Sequence, residues 1–289
     1  VNISHSDVEV TAQRSPCRHQ AEIDLRSPAL GRTVTVRLLT PRGWAPGDGG
    51  DWPTLYLLHG GDDDASCWTR HTDIAALALA AGLLVVLPPA GRAGFYSDWR
   101  GPDRHGTTPA WERFHVVELR QLIESRYGGG SRRAVAGVSM GGYGAMKYAA
   151  RNPAMFAAAA AYSGMLHTTR RGTPAFLRLY LRSVGERAPA LWESRQDWLD
   201  NDPFQFAHRL AQTPVYLAAG NGERASGDPP IKGAWLLERL IAPGTADLAG
   251  RLRELGSPLR LSVGPGTHSW PSWQRELNRS WTFLTDSLH

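Results

Sequence analysis

The chain is 289 residues long, with 42% hydrophobic and 20% charged residues, which is enough apolar material for a buried core and too little charge for a disordered polyampholyte. No stretch approaches the roughly 18 apolar residues of a membrane span; even Ala75–Pro89 is short and broken by Gly82. The 32 basic and 27 acidic residues leave a net charge of +5, but the arginines are scattered rather than gathered into the stripe of a nucleic-acid binder.

Residues 1–20 are polar and lack the apolar centre of a secretory leader, which leaves a cytoplasmic protein or a secreted one already processed. Cys17 and Cys67 define neither a metal site nor a disulfide framework, and either one bridge or two thiols fits the sequence. From there, short β-branched or apolar runs alternate with helical patterns. The strands are predicted at Thr33–Leu39, Thr54–Leu58, Leu83–Leu87, Arg133–Gly137, Phe156–Ser163, Val215–Ala219 and Leu259–Val263. Helices are predicted at about 71–81, 110–127, 141–151, 233–241 and 271–287, and residues 20–39 read as an edge hairpin. Such alternation predicts an α/β fold, a mostly parallel sheet covered on both faces, as one domain over 1–289. Pro41–Pro53 reads as a loop within it. Residues 164–213 break the rhythm as a helical insert carrying Phe176, Leu177, Leu179, Tyr180, Leu181, Trp192 and Trp198. These residues either pack the insert onto the body or line a lid above an apolar substrate. Trp44, Trp52, Trp111 and Trp281 are assigned to packing.

The chemistry centres on Gly137-Val-Ser-Met-Gly141, a G-x-S-x-G sequence between a predicted strand and a predicted helix. Small flanking residues allow the sharp turn that presents Ser139. A serine hydroxyl needs a base within hydrogen-bond reach and a third group to orient that base. In strand–turn–helix hydrolases the chain order is serine, acid, histidine. Of the ten histidines, His5, His19, His59, His71, His105 and His115 precede Ser139; His167 and His208 fall in the insert; His289 is terminal. His268, after the last predicted strand, remains as the base. The acid is open by order among Glu223, Asp228, Glu238, Asp247 and Glu254, with Asp228 in the usual loop and Glu238 on a helix. Two backbone N–H groups must hold the oxyanion; Met140, after the nucleophile, and Gly61, in His59-Gly60-Gly61-Asp62, are the candidates. His59 also reads as a residue that fixes this loop, and Asp62-Asp63-Asp64 as turn and cap chemistry. No P-loop, dinucleotide fingerprint or zinc motif occurs, so neither cofactor nor metal is expected.

Gly94-Phe-Tyr-Ser-Asp-Trp99, Gly137-Val-Ser-Met-Gly-Gly142, Ala219-Gly-Asn-Gly222 and Gly266-Thr-His-Ser-Trp-Pro271 together resemble the α/β-hydrolase branch of esterase D and the antigen 85 mycolyltransferases. The resemblance runs from about Thr33 to the C-terminus. It implies an α/β-hydrolase fold and favours Glu238 over Asp228 as the acid, through Leu237-Glu238. It also implies that Gly61 and Met140 form the oxyanion hole and that Trp270 and Trp99 border the substrate. Where the mycolyltransferases carry Asp-Gly-Leu-Arg, this chain has His59-Gly60-Gly61-Asp62. That places His59 and Asp62 among the substrate-binding residues and points away from trehalose and mycolate. The expectation is a serine acyltransferase that moves an acyl group from an ester or thioester to a hydroxyl acceptor such as a sugar or nucleoside. A carboxylesterase, or a binding protein on the same fold, is the alternative.

Overall fold

Among the described residues, nine strands form one sheet in the order β1-β2-β3-β5-β4-β6-β7-β8-β9. They are β1 (Glu9–Arg14), β2 (Gln20–Ser27), β3 (Arg32–Leu39), β4 (Trp52–Leu58), β5 (Leu84–Leu87), β6 (Gly129–Val138), β7 (Ala158–Tyr162), β8 (Val215–Gly220) and β9 (Leu259–Gly264). The computed structural model describes residues 8–47 and 49–289. Residues 1–7, with His5 and the start of the polar N-terminal stretch, and Asp48 in the Pro41–Pro53 loop lie outside the described residues. Strands β1, β2, β3 and β5 pair antiparallel, whereas β5, β4, β6, β7, β8 and β9 are all parallel. The expected edge hairpin over 20–39 is thus extended by β1, a half-exposed strand whose alternation is too polar to stand out.

Side chains of the parallel strands alternate between two cores. Tyr56, Leu58, Val86, Val135, Ala159 and Ala161 face one layer, and Leu55, Leu57, Val85, Ala136, Ala158 and Ala160 face the other. This two-sided burial explains why the strands read as continuous apolar runs. After β5 the chain crosses to the far side of β4 to build β6, and such a reversal opens a crevice at the carboxyl ends of the strands. This is the α/β-hydrolase architecture.

The helices depart from expectation in several places. The one expected over 71–81 is two, Cys67–His71 and Ile74–Ala81. The segment Trp111–Arg126 contains a π-helical turn at Phe114–Leu119, where buried Glu118 accepts from Ser27 Oγ and the Ala29 amide. The helix expected to stop near 241 runs from Ala234 to Glu254, through Pro243. Proline lacks the N–H that would bond the carbonyl four residues earlier, and that carbonyl belongs to exposed Arg239. The insert holds helices Thr173–Ser183, Ala188–Leu191 and Arg195–Asp200. Its Leu177, Leu181, Trp192 and Trp198 are buried in the first core. Cys17 is exposed, Cys67 is buried, and both are free thiols.

Candidate active site

The loop after β6 is a sharp turn. Ser139 has φ 53° and ψ −118°, a region nearly closed to residues with a Cβ, and its amide donates to the Tyr162 carbonyl at 2.8 Å. The helix Met140–Arg151 starts at once, pressed against the strands: a Cβ at Gly137 would strike the Gly141 backbone, and one at Gly141 would strike the Leu58 carbonyl. Glycine is required there by close approach, and the run of four alanines in strand β7 beside it serves the same packing.

Three side chains from widely separated segments meet at this turn. His268 Nε2 lies 2.9 Å from Ser139 Oγ, and its Nδ1 lies 2.9 Å from Glu238 Oε2. A carboxylate only accepts, so Nδ1 donates to Glu238 and Nε2 is left to accept the serine proton. Glu238 is fully buried, and its other oxygen accepts from Ser163 Oγ at 2.8 Å and the Gly220 amide at 2.6 Å. Trp273 donates to the same Ser163 hydroxyl at 3.1 Å and sets its ring edge-on to His268, with centroids 4.9 Å apart. The buried carboxylate therefore has a donor for each oxygen, the condition under which a charge tolerates burial. Ser163 and Trp273 were not anticipated, since each acts through the fold rather than through a local motif, and Gly220 stood out only within Ala219–Gly222, without this role.

Asp228, the rival acid, is engaged elsewhere. Arg275 grips it with two bonds of 2.5 and 2.9 Å and holds its carboxyl below the usual range.

Above Ser139 lies a cavity of about 480 Å³. Its lining is mostly apolar, with Met165, Phe176, Tyr180, Leu237 and Ile241, and also includes Asp63, His71, Ser269 and Trp270. Gly61 and Met140 both line it. Met140 is the first residue of its helix, so its N–H is one of the unpaired donors of a first turn, where the helix dipole also favours negative charge. Trp270 stacks on His71, with centroids 4.9 Å apart and planes 20° apart, and meets Trp68 and Trp273 edge-on.

Three expected substrate contacts are corrected. Trp99 is in the core, not the cavity: it is 6% exposed and donates to the Gly94 carbonyl at 3.1 Å. His59 is buried, its Nε2 accepting from the Ala90 amide at 2.8 Å and its Nδ1 donating to the Gly60 carbonyl at 2.7 Å. Burial pushes its imidazole below the usual range, so it fixes the loop as a neutral ring. Asp62 pairs with Arg92 and is not among the lining residues, whereas Asp63 is. The Gly94–Trp99 signature acts from beneath the site. Tyr96 donates to the His59 carbonyl at 2.9 Å, and buried Lys147 donates to the Tyr96 carbonyl and Ser97 Oγ while paired with Glu112 at 3.0 Å. Both Phe95 and Tyr96 have positive φ, at 47° and 46°.

The profile of the Esterase family matches residues 27–284. The diacylglycerol acyltransferase/mycolyltransferase Ag85B of Mycolicibacterium smegmatis is 31% identical over 269 residues, covering 87% of this chain and 80% of that protein. The corresponding Ag85A of Mycobacterium tuberculosis is 30% identical over 269 residues, with 89% and 78% covered. Among solved structures, Mycobacterium tuberculosis MPT51 (FbpC1) shares the fold with a TM-score of 0.79 at 24% identity, over 96% of this chain and 100% of that one. An S-formylglutathione hydrolase from Agrobacterium tumefaciens does so with 0.72 at 17% identity, over 97% and 99%.

Proposed function

The chain belongs to the Esterase family, and on that premise we propose that it moves an acyl group from an ester or thioester to a hydroxyl acceptor through a covalent acyl-Ser139 intermediate. Ser139 Oγ attacks the carbonyl carbon while His268 Nε2 takes its proton. Glu238 holds the ring with Nδ1–H toward it and stabilises the imidazolium that forms. The N–H groups of Gly61 and Met140 receive the developing oxyanion. Collapse of the tetrahedral intermediate expels the alcohol or thiol, which carries away the proton from His268. A second hydroxyl then enters, loses its proton to His268 and attacks the acyl carbon, and the ester leaves with Ser139 restored.

The observation that carries this reading is the hydrogen-bonded Ser139–His268–Glu238 chain at the floor of a mostly apolar cavity. The apolar lining suits the acyl chain, with residues 164–213, part of the same domain, contributing Met165, Phe176 and Tyr180 to it. The stacked His71 and Trp270 of the lining suit the acceptor, since a sugar or nucleoside packs on aromatic faces while its hydroxyls meet polar edges. The sequence His59-Gly60-Gly61-Asp62 supports an acceptor other than trehalose. Water in place of that acceptor makes the protein a carboxylesterase with the same residues.

Loading the enzyme with an activated ester and following the acyl adduct by intact mass tests the reading. Breakdown accelerated by a sugar or nucleoside, with the acyl group recovered on it, supports transfer. A breakdown rate indifferent to every hydroxyl acceptor assigns hydrolysis.

A further inference from the structure

Among the described residues, six large hydrophobic side chains are markedly exposed: Leu179, Ile231, Trp235, Leu236, Leu240 and Val263. Five of these lie on the two segments that wall the cavity. Ile231 itself lines it, and Trp235, Leu236 and Leu240 follow on the helix whose Leu237 and Ile241 face inward. Leu179 is exposed on the helix whose Phe176 and Tyr180 line the cavity.

A helix at a protein surface normally turns a polar face outward. The second half of Ala234–Glu254 obeys this, with Leu248, Ala249 and Leu252 buried and Arg251, Arg253 and Glu254 exposed. The first two turns do not. Ala234, Glu238 and Ile241 are buried, while Trp235, Leu236 and Leu240 are about half exposed on the outer side. Contiguous exposed apolar surface of this kind marks an interaction site. Three cations flank it: Lys232 and Arg171 make no ion pair among the described residues, and Arg239 stacks over the Trp235 ring at 5.6 Å, with exposed Glu223 beside it. Arg171 and Arg239 also line a smaller cavity of about 140 Å³ that shares Met165, Phe176 and Ile241 with the main one.

We propose that this apolar collar, with its flanking cations, docks the protein on an anionic lipid surface, so that the acyl donor enters the cavity from assembled lipid. A tryptophan beside aliphatic side chains and cations is the composition that settles at the boundary of headgroups and acyl chains. Phe176, Met165 and Ile241 then continue the apolar path from that surface toward Ser139. The proposal rests on the acyl-transfer reading of the site.

Docking is measured on Ser139→Ala, so that failure of catalysis and failure of docking read separately. Sedimentation is run with vesicles of phosphatidylcholine and of phosphatidylcholine mixed with phosphatidylglycerol. Three cations at the surface favour the anionic vesicles by up to roughly 100-fold. Adding Leu179→Ser, Trp235→Ser and Leu236→Ser, none of which lines the main cavity, lowers partitioning at least about tenfold. In the Ser139 background the same triple change leaves turnover of a monomeric soluble ester unaltered, which also shows that the fold is intact. Absence of binding, equal binding to both vesicles, or undiminished binding of the triple variant overturns the proposal. So does a concentration-dependent dimer that the triple change abolishes, since the collar then covers a second copy of the chain.

Discussion

Replacing Glu238 by glutamine separates its charge from its shape. Oε1 already accepts two hydrogen bonds, from Ser163 Oγ and the Gly220 amide, and Oε2 accepts one from His268 Nδ1. Glutamine keeps the first pair by placing its oxygen at the Oε1 position, which sets its NH2 against His268. Two donors then face each other, and the imidazole shifts to the tautomer protonated on Nε2. That nitrogen no longer accepts the Ser139 proton. The expected loss in kcat is about 10⁴-fold, the scale seen when a triad acid becomes an amide elsewhere, or about 5.4 kcal/mol at about 1.36 kcal/mol per tenfold. Stability changes little, because the amide oxygen satisfies the same buried donors. Glu238→Ala instead strands the Gly220 amide and the Ser163 hydroxyl, at about 1–3 kcal/mol for each orphaned group. The assay pairs ester turnover with urea unfolding, and Asp228→Asn serves as the control. Asp228 is held by Arg275 and does not touch His268, so its loss lowers stability and spares kcat. Glu238→Gln within tenfold of the parent, or Asp228→Asn as damaging to kcat as Glu238→Gln, refutes this assignment.

Ser139→Gly removes the cost of a side chain at φ 53° and is expected to raise stability by about 1 kcal/mol while abolishing turnover; a lower melting temperature contradicts the strain. A Cβ at Gly61 runs into the Tyr180 hydroxyl, which donates to the Arg92 carbonyl at 2.8 Å. Gly61→Ala should therefore lower kcat/KM about 10²-fold, and adding Tyr180→Phe should recover part of it; no recovery shows that the damage lies elsewhere. His115, buried between Tyr148 and the Pro89 carbonyl, has its imidazole pushed down to about 3, and His59 is lowered in the same direction. Both stay neutral in the fold and protonate in the unfolded chain below about 6.5. Their stabilisation is complete above that pH and is lost as pH falls toward the folded values, with His115 contributing up to about 1.4 kcal/mol per pH unit and His59 acting in the same direction. Urea midpoints at pH 7.5, 6 and 5 read this slope, and His115→Gln should reduce it; an unchanged slope excludes His115 as its source.

The parallel strands were legible because two-sided burial writes uninterrupted apolar runs such as Leu83–Leu87 into the chain. Ser139 announced itself by glycine spacing, and His268 by chain order. Glu238 did not: on a helix it looks like any exposed carboxylate, and only likeness to a known pattern drew it forward. The supporting roles of Ser163, Gly220 and Trp273 were invisible, even though Gly220 lies in the quoted Ala219–Gly222 stretch, since partners 18 to 110 residues apart share no local period. Trp99 was misplaced because a tryptophan in a signature reads alike whether it lines a cavity or props the loop beneath one. The π turn at Phe114–Leu119 and the passage of a helix through Pro243 both set tertiary packing against local propensity, and packing prevails.

Whether Ser139 is a nucleophile activated by His268 is decided by a fluorophosphonate. Peptide mapping of the wild-type chain should show one phosphonyl group, on Ser139, with labelling slowed by several orders of magnitude in His268→Ala. Folded wild-type protein that takes no label, or carries it on another residue, rules the mechanism out.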